Sequence, residues 1–128
     1  MKKAIATKKA PAAIGPYSQA TAAEGEMIFV SGQLPVDPAT GEFPSQDIQG
    51  QTRCSLDNVK AILEEAGCTM ADVLKTTVFL SDIANFAEMN QIYAEYFQEP
   101  FPARAAFQVA ALPKGALVEI EAVACRSK

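Results

Sequence analysis

The chain has 128 residues, 49% of them apolar, carries a formal net charge of −4 and contains no histidine. That length suits one domain over residues 1–128, able to bury roughly two thirds of the surface its unfolded chain would expose. The missing imidazole excludes Ser-His-Asp and Cys-His nucleophile activation, and an acidic chain with no basic block longer than Lys8-Lys9 argues against nucleic acid as a partner.

Cys54, Cys68 and Cys125 are odd in number, form no CxxC and have no histidine to complete a zinc spacing, so they read as reduced, packed thiols and no metal site is expected. No run approaches the ~20 apolar residues of a membrane span, and the lysine-rich start lacks a secretory apolar run. A cytoplasmic location without a membrane partner follows as the expectation.

In chain order, Lys3–Thr7 suits a short strand, and Pro11, Gly15 and Pro16 then stiffen a passage ending at Tyr17 and Ser18. The residues alone favour a packed Tyr17 with its hydroxyl at the surface. Gln19–Ala23 and Met27–Ser31, joined by Glu24-Gly25-Glu26, look like a hairpin. Gly32, after Ser31, either permits a bend or lets a ligand approach the backbone.

Pro35, Pro38, Gly41 and Pro44 mark an ordered loop, after which apolar positions at helical spacing predict a helix from about Asp47 to Ala66, stopped by Gly67. Its Arg53, Asp57, Lys60, Glu64 and Glu65 read as a solvated face. Asp72–Ser81, with Thr76-Thr77-Val78-Phe79-Leu80, reads as a strand near the middle of the sheet. A second helix, capped by Asp82 or Asn85, is predicted to reach about Gln98 with Phe86, Met89 and Tyr93 on its apolar face. Asn90 shares that face, so it either brackets backbone or contacts a substrate.

Arg104–Ala111 and Leu117–Ala124 are the last strands. Arg104 shares its face with Ala106, Gln108 and Ala110, small neighbours that leave room beside the guanidinium, while Glu119 and Glu121 must meet water or pair within an assembly. Three strands, helix, strand, helix and two strands give an α+β fold with both helices on one face of a six-stranded mixed sheet. Its uncovered face favours self-association.

Gly15-Pro16-Tyr17-Ser18-Gln19, Ser31-Gly32-Gln33, Lys75-Thr76-Thr77-Val78, Phe101-Pro102-Ala103-Arg104, Leu112-Pro113-Lys114-Gly115 and Val118-Glu119-Ile120-Glu121-Ala122 occur in one order along the whole chain. In these motifs the sequence resembles the RidA/YjgF reactive intermediate deaminase family, also called the endoribonuclease L-PSP family. The resemblance implies a chorismate-mutase-like homotrimer around a β-barrel core, with active sites between subunits. It also implies a last strand lying between the third and fourth, and not a hairpin closed by Leu112–Ala116.

The activity implied is hydrolysis of 2-imino acids, as a 2-iminobutanoate/2-iminopropanoate deaminase, giving 2-oxo acids and ammonia without a cofactor. Arg104 would clasp the substrate carboxylate and Glu119 would activate water. A protonated imine is already electrophilic and needs neither metal nor covalent nucleophile. Tyr17, Ser31, Gly32, Phe86, Asn90 and the backbone at Ala106 would complete the pocket. Many members have cysteine where this chain has Ala106, so no thiol regulation is expected there. Two other readings stand beside this one: cleavage of single-stranded RNA with inhibition of translation, and non-catalytic carboxylate binding or a chaperone-like role.

Overall fold

The computed structural model describes residues 2–127. Its strands are β1 (Lys3–Ile5), β2 (Ala20–Ala22), β3 (Glu26–Gln33), β4 (Val73–Leu80), β5 (Ala103–Gln108) and β6 (Val118–Arg126), and its helices are α1 (Ile48–Glu65) and α2 (Phe86–Tyr96). A four-stranded sheet has the order β3-β6-β4-β5, with β4 and β5 parallel and the other pairs antiparallel. The last strand therefore lies between the third and fourth, as the resemblance implies.

The sheet differs from the six strands expected. β1 and β2 form a separate two-stranded sheet, joined to β5 by a single parallel bridge between Ser18 and Ala103. Pro16 and Pro102 flank that junction, and neither has an N–H to extend a ladder. The small sheet is fastened to the start of β4 by side chains instead: Thr21 Oγ1 donates to the Leu74 carbonyl at 2.7 Å and Lys2 Nζ to the Val73 carbonyl at 2.9 Å.

The β2–β3 hairpin is also absent, since β2 pairs with β1 and β3 pairs with β6. Ile28 and Val30 pack into the core, and only pairing with β6 brings them there. The turn at Gly25, with φ 146°, lays the chain against Arg126 at the end of β6, where any side chain would collide with backbone.

Helix α1 starts where its sequence signals place it. Asp47 caps it by accepting from the Gly50 amide at 2.7 Å, and Gly67 beyond its end has φ 78°. A methyl group on Gly50 would overlap the Ser45 side chain, so this glycine, unfavourable in a first turn, serves a close packing contact. The buried face carries Ile48, Leu56, Val59 and Leu63, each large apolar side chain contributing about 1.5–3 kcal/mol. Gln51, buried beside them, donates to the Ser45 carbonyl at 3.2 Å and accepts from the Leu117 amide at 2.8 Å, fixing the start of β6 against the helix. Arg53, on the outer face, forms an exposed ion pair with Glu95 of α2 at 3.0 Å.

Helix α2 is shorter than predicted. Asp82 caps a 3-10 turn over Ile83–Asn85, the α-helix begins at Phe86, and Phe97 is already extended. Met89, Ile92, Tyr93 and Phe97 are buried. Both helices lie on the face of the sheet carrying Val78, Val118 and Ile120. The other face is left with Met27, Phe29 and Phe107, exposed by 45%, 76% and 44%. No helix among the described residues is long and apolar enough to cross a membrane.

Candidate active site

Strand register decides which of the predicted residues meet. Arg104 pairs with Thr76 across the parallel β4–β5 ladder, and the Thr76 hydroxyl is hydrogen-bonded at 2.7 Å to Tyr93 of α2. Thr76 and Arg104 therefore point to the helix side. There Arg104 Nη1 donates to Asn90 Oδ1 at 2.6 Å. Its guanidinium carbon lies 5.4 Å from the ring centre of Tyr17, 5.5 Å from Phe86 and 4.7 Å from Tyr93.

Four predicted residues, Tyr17, Phe86, Asn90 and Arg104, thus form one group built from a loop, a helix and a strand. Asn90 brackets the arginine side chain and not the backbone. Ala106, two residues along β5, packs against the core on the same side. Tyr17 is half-buried, with its hydroxyl near the Ile14 amide at 3.5 Å.

Arg104 is a half-buried cation outside the ion pairs of the described residues. Burial lowers its pKa, opposed by the Tyr93 and Tyr17 rings, yet among the described residues neither ion pair involves it: these are Arg53–Glu95 and Arg126–Glu26. A half-buried cation without a carboxylate from its own chain is costly unless an anion arrives from elsewhere.

The second group stands on the opposite face. Glu119 pairs with Phe79, three residues beyond Thr76, and that odd offset turns Phe79 and Glu119 away from the helices. The β3–β6 register slips between Val30–Ala122 and Gln33–Ile120, leaving Ser31 and Gly32 opposite the single residue Glu121. This is a β-bulge, a device that re-aims side chains. Gly32 lies under Glu119 so closely that a methyl group there would overlap the carboxylate and stand 2.9 Å from its carbon. Ser31, Gly32 and Glu119 therefore share this second place, and one chain does not bring it to Arg104.

The sequence marks Tyr93 only as part of an apolar helix face. It belongs to the arginine group, three residues after Asn90 and seven after Phe86. Burial pushes its hydroxyl up to about 12, against the lowering effects of Thr76 and Arg104. Its legible signal is that a tyrosine on a buried face must find a partner for its hydroxyl. Among the described residues, no group of three or more His, Cys, Asp or Glu side chains is placed to hold a metal ion.

Residues 7–126 match the family model described as endoribonuclease L-PSP. The chain belongs to this family, the RidA/YjgF family. A RutC family protein of Pyrococcus horikoshii is 56% identical over 124 residues, covering 97% of this chain and 98% of that protein. A Bos taurus member, named 2-iminobutanoate/2-iminopropanoate deaminase, is 52% identical, with 97% and 90% covered. Among solved structures, Escherichia coli TdcF with bound serine superposes with a TM-score of 0.75 at 50% identity, covering 98% of this chain and 99% of that one. Family members carrying deaminase names make an enzymatic, hydrolase-like activity the coarse assignment for this RidA/YjgF protein.

Proposed function

We propose that this RidA/YjgF protein is a 2-iminobutanoate/2-iminopropanoate deaminase, working as a homotrimer in which Arg104 of one copy and Glu119 of a neighbour share each site. The observation that carries the reading is the guanidinium held among three aromatic rings with no carboxylate partner among the described residues. With Nη1 donating to Asn90, the Nε and Nη2 edge is the one to offer a substrate carboxylate two parallel hydrogen bonds. The relative named as a deaminase and the relative with bound serine, itself a 2-amino acid, support that choice.

Glu119 acts as general base. It takes one proton from water as the new C–O bond forms at the protonated imine carbon, and the C=N electron pair moves to nitrogen. The resulting carbinolamine receives that proton back on nitrogen. Its C–N bond then breaks, and ammonia leaves with the hydroxyl proton as ammonium, so iminium plus water becomes 2-oxo acid plus ammonium. Ser31 and Gly32 orient the water, Tyr17 and Phe86 wall the pocket, and the Ala106 backbone contributes a hydrogen bond along the open edge of β5.

Two free sheet edges, on β3 and β5, support a head-to-tail association, the kind that closes into rings. The experiment is turnover of imine released by a threonine dehydratase. Wild-type protein accelerates imine loss, and Arg104→Lys removes most of the gain while the sedimenting mass stays that of a trimer. A folded wild-type trimer with no effect on imine lifetime refutes the proposal.

A further inference from the structure

We infer that Gln19 is a positioning residue for this reaction, acting through Tyr17. Between Ile5 and Gly15, outside the β1–β2 ladder, the backbone forms a local turn at Lys8-Lys9, where the Lys9 amide donates to Thr7 Oγ1 at 3.1 Å, and among the described residues no backbone-to-backbone hydrogen bond ties this strap to the rest of the chain. The strap leading to Tyr17 is fastened instead by one carboxamide. Gln19 Nε2 donates to the Pro11 carbonyl at 2.6 Å and the Thr7 carbonyl at 3.1 Å, with a longer approach to Ala10 at 3.4 Å, while Oε1 accepts from the Thr7 amide at 2.7 Å. This side chain closes the neck of the loop that starts at Thr7 and ends at Tyr17, a compact form whose ends lie together.

The adjoining residue fixes the same loop to the site. Ser18 Oγ donates to the Phe101 carbonyl at 2.6 Å and the Ser18 amide to the Pro102 carbonyl at 3.0 Å, two residues before Arg104. Tyr17 is thus held between a clamp at the neck and a tie to the arginine strand, which sets its ring 5.4 Å from the guanidinium. Only a carboxamide meets the clamp's demand for a donor and an acceptor on one planar group. Glutamate would turn acceptor oxygens on the Thr7 and Pro11 carbonyls, and leucine would supply neither function. Because the strap is exposed, its freed polar groups meet water, so loss of the clamp costs little global stability.

The inference rests on the deaminase reading for the reaction it serves, and its test separates the two. Gln19→Leu and Gln19→Glu are each expected to raise KM about tenfold, the loss of one to two hydrogen bonds' worth of ordering, with kcat near wild type. Amide exchange at Thr7 and Lys9 accelerates, and melting temperature barely moves. Tyr17→Ala, which removes the ring, also raises KM, and adding Gln19→Leu to it raises KM no further.

An unchanged KM in both Gln19 variants overturns the inference. So does a silent Tyr17→Ala, or a Gln19→Leu effect undiminished in the Tyr17→Ala background. Each of these leaves the deaminase reading to stand on Arg104→Lys. Wild-type protein inactive on imines refutes the reading instead, and the same variants are then judged by calorimetric binding of 2-oxobutanoate. A weakening of its Kd by the same factor upholds the Gln19 role. An unchanged Kd, or no binding to wild type, overturns it.

Discussion

Gly32→Ala isolates the geometry proposed for Glu119. The backbone at Gly32 lies outside the left-handed region, so alanine meets no conformational penalty there, and replacing glycine within a strand gains about 0.5–1 kcal/mol. The added methyl would overlap the Glu119 carboxylate, with 2.9 Å to its carbon and 3.2 Å to Cγ. The glutamate is half-buried and its far end can swing, at about 0.5–1.5 kcal/mol for an off-rotamer torsion. The two terms nearly cancel, so the melting temperature should move by no more than about 4 °C. Catalysis does not share that cancellation. Clearing the overlap moves the carboxylate by about 1 Å, and a displacement of that size costs about a hundredfold in rate, or about 2.7 kcal/mol of barrier. The assay is imine loss in the coupled dehydratase reaction, with 2-oxobutanoate binding measured alongside. The expected result is kcat down by one to two decades, binding kept, and no further loss when Glu119→Gln is added. Full activity in Gly32→Ala would refute the assignment of Glu119 to the water, and a large fall in stability would refute the cancellation.

Two further predictions concern the arginine group. Asn90→Leu removes the acceptor for Arg104 Nη1; a hydrogen bond to a charged group is worth about 1.5–3 kcal/mol, so KM should rise at least tenfold, measured in the same assay. For Tyr93 the sign follows from a hydroxyl pushed up to about 12 in the folded chain, against about 10 unfolded. Its stabilising contribution is complete below pH 10 and is lost as pH rises through 12, at about 1.4 kcal/mol per unit between them. Burial raises the Tyr96 hydroxyl as well, which adds a slope of the same sign, so stability to urea from pH 9 to 12 should fall less steeply in Tyr93→Phe than in wild type, by that amount.

Much of the fold was legible because its signals are local. Asp47, Gly67 and the spacing from Ile48 to Leu63 defined α1 without reference to anything distant. The run Thr76–Leu80 announced an interior strand because so few of its side chains tolerate water. Pairing partners are not local. Glu24-Gly25-Glu26 is a good hairpin turn in isolation, and only the need to bury Ile28 and Val30 against β6 sends β3 elsewhere. The expected six-stranded sheet failed for a comparable reason, because two prolines at the Ser18–Ala103 junction withhold the N–H groups a continuous ladder requires. Within the site, residue types were readable and relations were not. The small neighbours of Arg104 suggested a pocket, and a tyrosine on a buried face asks for a hydroxyl partner, but nothing local says that Tyr93 faces the arginine or that Gln19 closes the strap.

The separation of Arg104 from Glu119 bears directly on how the site must be built. Their partners on β4 are Thr76 and Phe79, three residues apart, and β5 and β6 lie on either side of β4. At about 3.3 Å per residue and about 4.8 Å per strand, the two backbone positions are roughly 14 Å apart in the plane of the sheet. Their side chains then leave by opposite faces. A four-carbon imino acid anchored by its carboxylate presents its imine carbon one bond from that carboxylate, so no single chain can hold the acid with Arg104 and deliver water from Glu119. Either Glu119 takes no part in turnover, or it comes from another copy. Glu119→Gln alone tests the first, since full activity in it would remove Glu119 from turnover; if it is inactive, mixing it with inactive Arg104→Lys tests the second. In a trimer with shared sites, subunit exchange creates some clefts with both wild-type residues and restores part of the activity. A mixture that stays inactive after subunit exchange would refute the shared cleft.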